Sequence, residues 1–428
     1  FLSVKLQKVC KIFNFFVFTG ANINCNQKRV GKEKVKQMKS WKKIVSVACT
    51  AVFMTSVVAG CGGDKKKDAA NSNEIVIGAS FELTGAVANY GKSTLNGVRM
   101  AVDEVNKAGG INGKKIKLVE SDNKSEPSEA GNAVTKLISK DKAVAIIGPA
   151  TSGAVAAASQ IVTDAKIPLM APVATAENIT VKDGKTKDYI FRACFIDPFQ
   201  GQVMAEFANK TLKVKNVAIL YDASSEYSKG LTAVFTKTLE KNGGKAVASE
   251  AFLAKDVDFK SALTKIKATN PEAIYVPAYY EEVAKIIKQA REIGLNVPML
   301  GSDGWDSPKL AEIAGPAALN GTYFCSAYSA QDQEPSVQKF IKNYKAMFNA
   351  EPDNFSIHGY DAAMIVIEAI KRAGTTDGVK VAAEMAKTKD LQVATGKVTY
   401  DDKHNPISGA VIIEMKDGVQ TFKEKIAL

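Results

Sequence analysis

From Glu74 onward, short apolar runs alternate with segments in which apolar positions return every three or four residues. The run Ala143 to Ile147 has no polar position, as a strand buried on both faces requires, and Gly148-Pro149 ends it because proline cannot donate to a ladder. Thr151-Ser152-Gly153 supplies N-cap chemistry for an alanine-rich helix over 154–165, and Ile167 to Ala171 starts a second strand. So short a crossover predicts a parallel βαβ unit, with the loops 149–153 and 172–176 on one edge of the sheet.

The same alternation runs through the chain. Strands are predicted over 74–81 and 115–121, and helices over 95–108 and 127–141. The pattern then repeats, with strands over 214–221, 245–250, 273–276 and 297–300 and helices over 231–242, 259–270 and 281–293. The fold class is therefore α/β, with two doubly wound parallel sheets. No Pro/Gly/Ser-rich linker separates the halves, which predicts two lobes with a cleft between them. Beyond them lie a strand over 322–328 and helices over 337–348, 355–373 and 379–388, and from Gly396 two hairpins turned at Asp401-Asp402 and Asp417-Gly418.

Charge changes the picture only at the N-terminus. The 428 residues carry a net +12, which by itself points to nucleic acid or an anionic membrane. Residues 1–60 hold eleven Lys or Arg and one Glu, so the rest of the chain is close to neutral and nucleic acid is not an expected partner. Met38 to Lys43 is a basic n-region and Ile44 to Ala59 an apolar h-region, too short for a membrane span, so 38–60 reads as a secretion signal. Val58-Ala59-Gly60-Cys61 resembles a bacterial lipobox, which makes Cys61 the expected lipidated N-terminus and 61–73 a polar tether. The alternative is an ordinary cleaved signal with a chance cysteine. Residues 1–37, which open on Phe1, are expected to be an over-extended leader, with Met38 the true start.

Candidate chemistry is sparse. Two histidines, His358 and His404, and cysteines with no ligand spacing make a metal improbable and no cofactor expected. No nucleophile motif, phosphate loop or acid/base constellation stands out, so an enzyme is not expected. The free N–H groups before the 154–165 helix, with Ser152 and Thr175, form an anion site in principle, or a plain helix cap. Asn89-Tyr90-Gly91-Lys92 and Glu226-Tyr227-Ser228-Lys229 are matching loops whose tyrosines either close over a ligand or pack at a rim.

Taken in order, Leu83-Thr84-Gly85 with Tyr90-Gly91, Asn106 to Gly113, the stretch 143–180, Phe191-Arg192, Tyr279-Tyr280-Glu281 and Gly301 to Gly304 resemble the leucine/isoleucine/valine-type periplasmic binding proteins of ABC transporters. The resemblance covers 74 to about 426 and implies a type I periplasmic binding protein fold with three crossover strands. It implies that Ser152 and Thr175, with the Val173 carbonyl, bind a ligand α-carboxylate, that Asp303 binds the ammonium where the family often has glutamate, and that Tyr90, Tyr227, Tyr279 and Tyr280 line the site. Trp305 either fills the pocket or packs under its loop.

The crossovers are expected near 193–195, near 324–326 and before Gly396. That gives an N-terminal lobe of 74–193 plus 326–395 and a C-terminal lobe of 194–325 plus 396–428. Cys194 and Cys325 then lie on neighbouring crossovers, as a disulfide or as two buried thiols. The implied protein is a monomeric, lipid-anchored receptor on the extracytoplasmic face of the cell membrane. It takes a small amino acid, branched-chain by default, to the permease and ATPase subunits of an ABC transporter. Another ligand (amide, urea or aromatic acid) and a sensory role are the alternatives.

Overall fold

The computed structural model describes residues 73–407 and 409–426. The leader, the signal segment and the lipidation candidate Cys61 lie outside the described residues.

The first sheet runs in the order Lys115–Asp122, Glu74–Phe81, Ala145–Ile147, Leu169–Ala171, Ile190–Arg192, every pair parallel. Its three short strands are buried at every position, which is why their sequence is continuously apolar and does not alternate. The register sets Phe81 beside Asp122 and Ala79 beside Ile147, so the strands end together and the loops after them gather on one edge.

The second sheet runs Val419–Ile426, Ala410–Lys416, Thr322–Ser326, Met299–Gly301, Ala273–Tyr275, Asn216–Asp222, Lys245–Phe252. The last five are parallel, and the C-terminal hairpin adds two antiparallel strands around Asp417-Gly418.

The helices Ala88–Lys107 and Asn354–Ala373 pack through glycines. A Cβ at Gly97 would lie 1.9 Å from the Ser356 carbonyl oxygen, and one at Gly359 would lie 2.0 Å from that of Thr94, so only glycine permits this approach. The second of these helices opens on a capping box between Asp353 and Ser356 and ends at Gly374 in the left-handed region. The late helices thus return to the first lobe.

One expectation needs correction. The third crossing lies between Ile407 and Ala410, not before Gly396: Gly396–Val398 pairs with Leu391–Val393, the Tyr400 hydroxyl donates to the Arg192 carbonyl at 2.8 Å, and the His404 ring stacks on Phe191 at 4.1 Å. These contacts hold 396–407 on the first lobe, and the turn expected at Asp401-Asp402 carries only an isolated bridge, Tyr400 to Pro406. Cys194 and Cys325 are buried free thiols, with the Cys194 thiol directed at the Ala174 carbonyl at 3.5 Å. The chain also forms a helix over Asp197–Glu206, extended by a wider turn over Phe207–Thr211, beyond the elements the pattern predicts. Proline in the first helical turn is a start signal.

Candidate ligand-binding site

Two loops of the first lobe face one turn of the second. The first loop ends at Thr151, in extended backbone at the N-cap of the helix Ser152–Ala165. The expected cap bond does not form: the Thr151 hydroxyl donates instead to Glu82 at 2.8 Å, and the Ser152 hydroxyl accepts the Ala176 N–H of the second loop at 3.2 Å.

The second loop, 172–176, is pinned from below by Arg192. This guanidinium is fully buried and donates to the carbonyls of Ala174 at 3.0 Å and Ala176 at 2.9 Å and to the Thr180 hydroxyl at 3.3 Å. Thr175 lies between the two pinned carbonyls, so its own polar groups are fixed in direction.

Opposite them, Met299–Gly301 gives way to a tight turn, Asp303–Trp305. The turn sends its first and last side chains to different places. Asp303 accepts the Tyr227 hydroxyl at 2.9 Å, while its backbone N–H donates to the Gln200 side chain at 3.0 Å. Trp305 goes inward, its indole N–H donating to the Val276 carbonyl at 2.9 Å and its ring lying where any Cβ on Gly301 would be.

A small cavity between these elements is lined by Tyr90, Ser152, Val173, Thr175, Tyr227, Tyr279 and Asp303, together with Ala150, Thr151, Gly304 and Phe355. Trp305 and Tyr280 do not line it: Trp305 packs under the loop, and the Tyr280 hydroxyl donates across the cleft to the Ala86 carbonyl at 2.9 Å. Tyr279 stacks on Tyr227 at 5.1 Å and meets Tyr90 edge-on at 5.6 Å, so tyrosines from both lobes form one aromatic wall. Phe355, stacked on Tyr90 at 4.3 Å, completes it.

Burial dominates the electrostatics. It pushes the Asp303 carboxyl up to about 6, against the lowering effect of the Tyr227 and Gln200 hydrogen bonds. Asp197, at the head of the helix that carries Gln200, is pushed well above its ordinary value by burial, partly opposed by a bond from Thr175. Its Oδ2 has no partner among the described residues. Gln200 donates to Asp197 Oδ1 at 3.5 Å and so links the two acids.

Glu82, Asp197, Gln200 and Phe355 were not picked out as site residues from the sequence. For Glu82 the available signal was an acid immediately after a strand, on the edge where loops gather.

A family model described as periplasmic binding protein matches residues 74–420. The chain belongs to the periplasmic binding protein family. Among relatives of this binding protein, the Leu/Ile/Val-binding protein BraC3 of Rhizobium johnstonii is 33% identical over 77% of this chain and 88% of its own. The branched-chain amino acid transporter substrate-binding protein LivJ of Streptococcus pneumoniae, solved with isoleucine, superposes with a TM-score of 0.78 at 38% identity, covering 82% of this chain and 99% of its own. A solute-binding protein of R. palustris solved with benzoate superposes with a TM-score of 0.75 at 25% identity, covering 82% and 96%. The two-lobed α/β architecture is the type I periplasmic binding protein fold.

Proposed function

We propose that this binding protein is an extracytoplasmic receptor that closes its lobes on a zwitterionic amino acid, branched-chain by default, and presents it to an ABC permease. The carrying observation is that Ser152 and Thr175 of one lobe share one small cavity with Asp303 and Tyr227 of the other. A ligand α-carboxylate would meet the hydroxyls and the helix N-terminus, and its ammonium would pair with Asp303, with Asp197 close behind. Val173, Tyr90, Tyr279 and Phe355 supply apolar surface for the side chain.

Closure would be a hinge motion about the three crossings, driven by contacts that only the closed lobes make. The lobes share several such bonds: Asn89 to Ser307 at 3.1 Å, Tyr280 to Ala86 at 2.9 Å and Lys255 to Glu126 at 2.7 Å. In this reading lipid on Cys61 tethers the receptor to the membrane beside its permease.

The benzoate complex of a relative supports a second reading, an aromatic acid ligand. Such an anion would leave Asp303 without a cation in a buried site, which favours the amino acid. A thermal-shift screen against the twenty amino acids and substituted benzoates separates the two. A ligand at a hundred times its Kd stabilises by about 2.7 kcal/mol. Shifts with leucine, isoleucine or valine are expected; shifts with benzoates alone would reverse the assignment.

A further inference from the structure

The loop that carries Ser152 does not hold itself in place. Gly148 has a φ of 91° and passes so close to the first strand that a Cβ there would lie 2.2 Å from the Ser80 carbonyl oxygen. Pro149 has no N–H, and the next two N–H groups, of Ala150 and Thr151, precede the helix and have no partner within it.

Both donate to one side chain from another strand end. Glu82 is fully buried. Its Oε2 accepts the Ala150 N–H at 3.1 Å, and its Oε1 accepts the Thr151 N–H at 3.1 Å and the Thr151 hydroxyl at 2.8 Å. Glu82 is itself clamped: a Cβ on Gly91 would lie 2.2 Å from its carbonyl oxygen, so the helix Ala88–Lys107 fixes its backbone. A fixed carboxyl with three bonds to two adjacent residues sets the direction of everything that follows, and Ser152 follows next.

We infer that Glu82 is a positioning residue: an internal carboxylate that takes up the first free N–H groups of the loop and so aims Ser152 and the remaining helix N-terminus at the ligand's carboxylate. This rests on the amino-acid reading above. Glu82 touches no ligand in it, and neither the Asp303 side nor the aromatic wall depends on Glu82.

The test is Glu82→Gln in the full chain, titrated with leucine and with leucinamide, which keeps the ammonium and side chain but has no carboxylate. Gln presents an amide NH2 where one acceptor stood, so part of the loop loses its anchor. Leucine should bind about tenfold more weakly than to the wild type, while leucinamide changes less than about twofold. Equal loss of both ligands, or loss of neither, would overturn the assignment.

A measurement without ligand makes the result independent of the amino-acid reading. Hydrogen exchange of the Ala150 and Thr151 amides should accelerate in Glu82→Gln while the amides of the Ser152–Ala165 helix interior do not. Unchanged exchange at both would refute the positioning role even if no amino acid binds. Wild-type protein that binds neither leucine nor leucinamide would count against the amino-acid reading alone.

Discussion

The Tyr227 hydroxyl donates to the Asp303 carboxylate at 2.9 Å and accepts the Gly304 N–H at 3.0 Å, so one phenol fixes both the proposed ammonium partner and the turn that carries it. Tyr227→Phe keeps the ring stacked on Tyr279 and removes both bonds. A hydrogen bond to a charged group contributes about 1.5–3 kcal/mol, so calorimetry should show amino-acid affinity falling by about tenfold or more, with a fold-stability loss of about 1–3 kcal/mol from the buried groups left unpaired. An unchanged Kd would mean that Asp303 is oriented by other groups.

The same carboxyl predicts a pH dependence with two opposite signs. Burial raises Asp303 from its ordinary value to about 6, so its ionised form is disfavoured in the folded chain. Its contribution to the stability of the unliganded protein is therefore full below its unfolded value and is lost as pH rises through about 6. Ligand binding needs the ionised form, so affinity should be level above pH 7 and fall about tenfold per unit well below 6. Asp303→Asn should bind weakly and without this slope. Calorimetric titrations between pH 5 and pH 8 read both, and affinity that rises on acidification would remove Asp303 from the ammonium site.

Arg192 predicts a cost in folding as well as in binding. It is fully buried and satisfies the carbonyls of Ala174 and Ala176, on either side of Thr175. Arg192→Met removes one strong donor from each carbonyl, leaving Ala176 with the Ile179 N–H and Ala174 with only the weak Cys194 thiol, a cost offset in part because burial already disfavours the guanidinium charge and pulls its pKa down. A net loss of about 2–4 kcal/mol in denaturant unfolding is expected, with weaker ligand binding. Arg192→Lys should recover only part of it, since one ammonium cannot reproduce the planar fork.

What the sequence shows of this fold follows from how local each signal is. The strand Glu74–Phe81 is readable to its last residue because its apolar run is bounded on both sides. The helix Ala88–Lys107 begins seven residues before the predicted Leu95, because a glycine such as Gly91 is locally unfavourable inside a helix. The glycine is there for the close approach to Glu82, a tertiary demand with no local signature. Ser152, Thr175, Tyr90 and Tyr227 lie in a loop or the first helical turn after a strand, on the edge where topology gathers the loops. Trp305 and Asp303 are two residues apart and point to different sides of one turn, which no periodicity can foretell. Glu82, Gln200 and Phe355 reach the site from distant segments, so only the assembled lobes disclose them.

Tyr90 carries the clearest prediction about motion. It belongs to the first lobe, and its hydroxyl donates to the Gly304 carbonyl and accepts the Tyr280 N–H at 3.1 Å, both in the second. Neither bond can survive separation of the lobes, so they contribute only to the closed form, while the stack of Tyr90 on Phe355 is internal to the first lobe and persists in both. Tyr90→Phe therefore shifts the equilibrium toward the open form without touching the proposed contacts to carboxylate or ammonium. Losing two buried bonds of about 1 kcal/mol each lowers apparent affinity by roughly tenfold or more, through the population of the closed form. The loss should appear as faster ligand release, with a larger radius of gyration by small-angle scattering at sub-saturating ligand. Weakened binding with no change in lobe separation would instead place the Tyr90 hydroxyl in direct contact with the ligand.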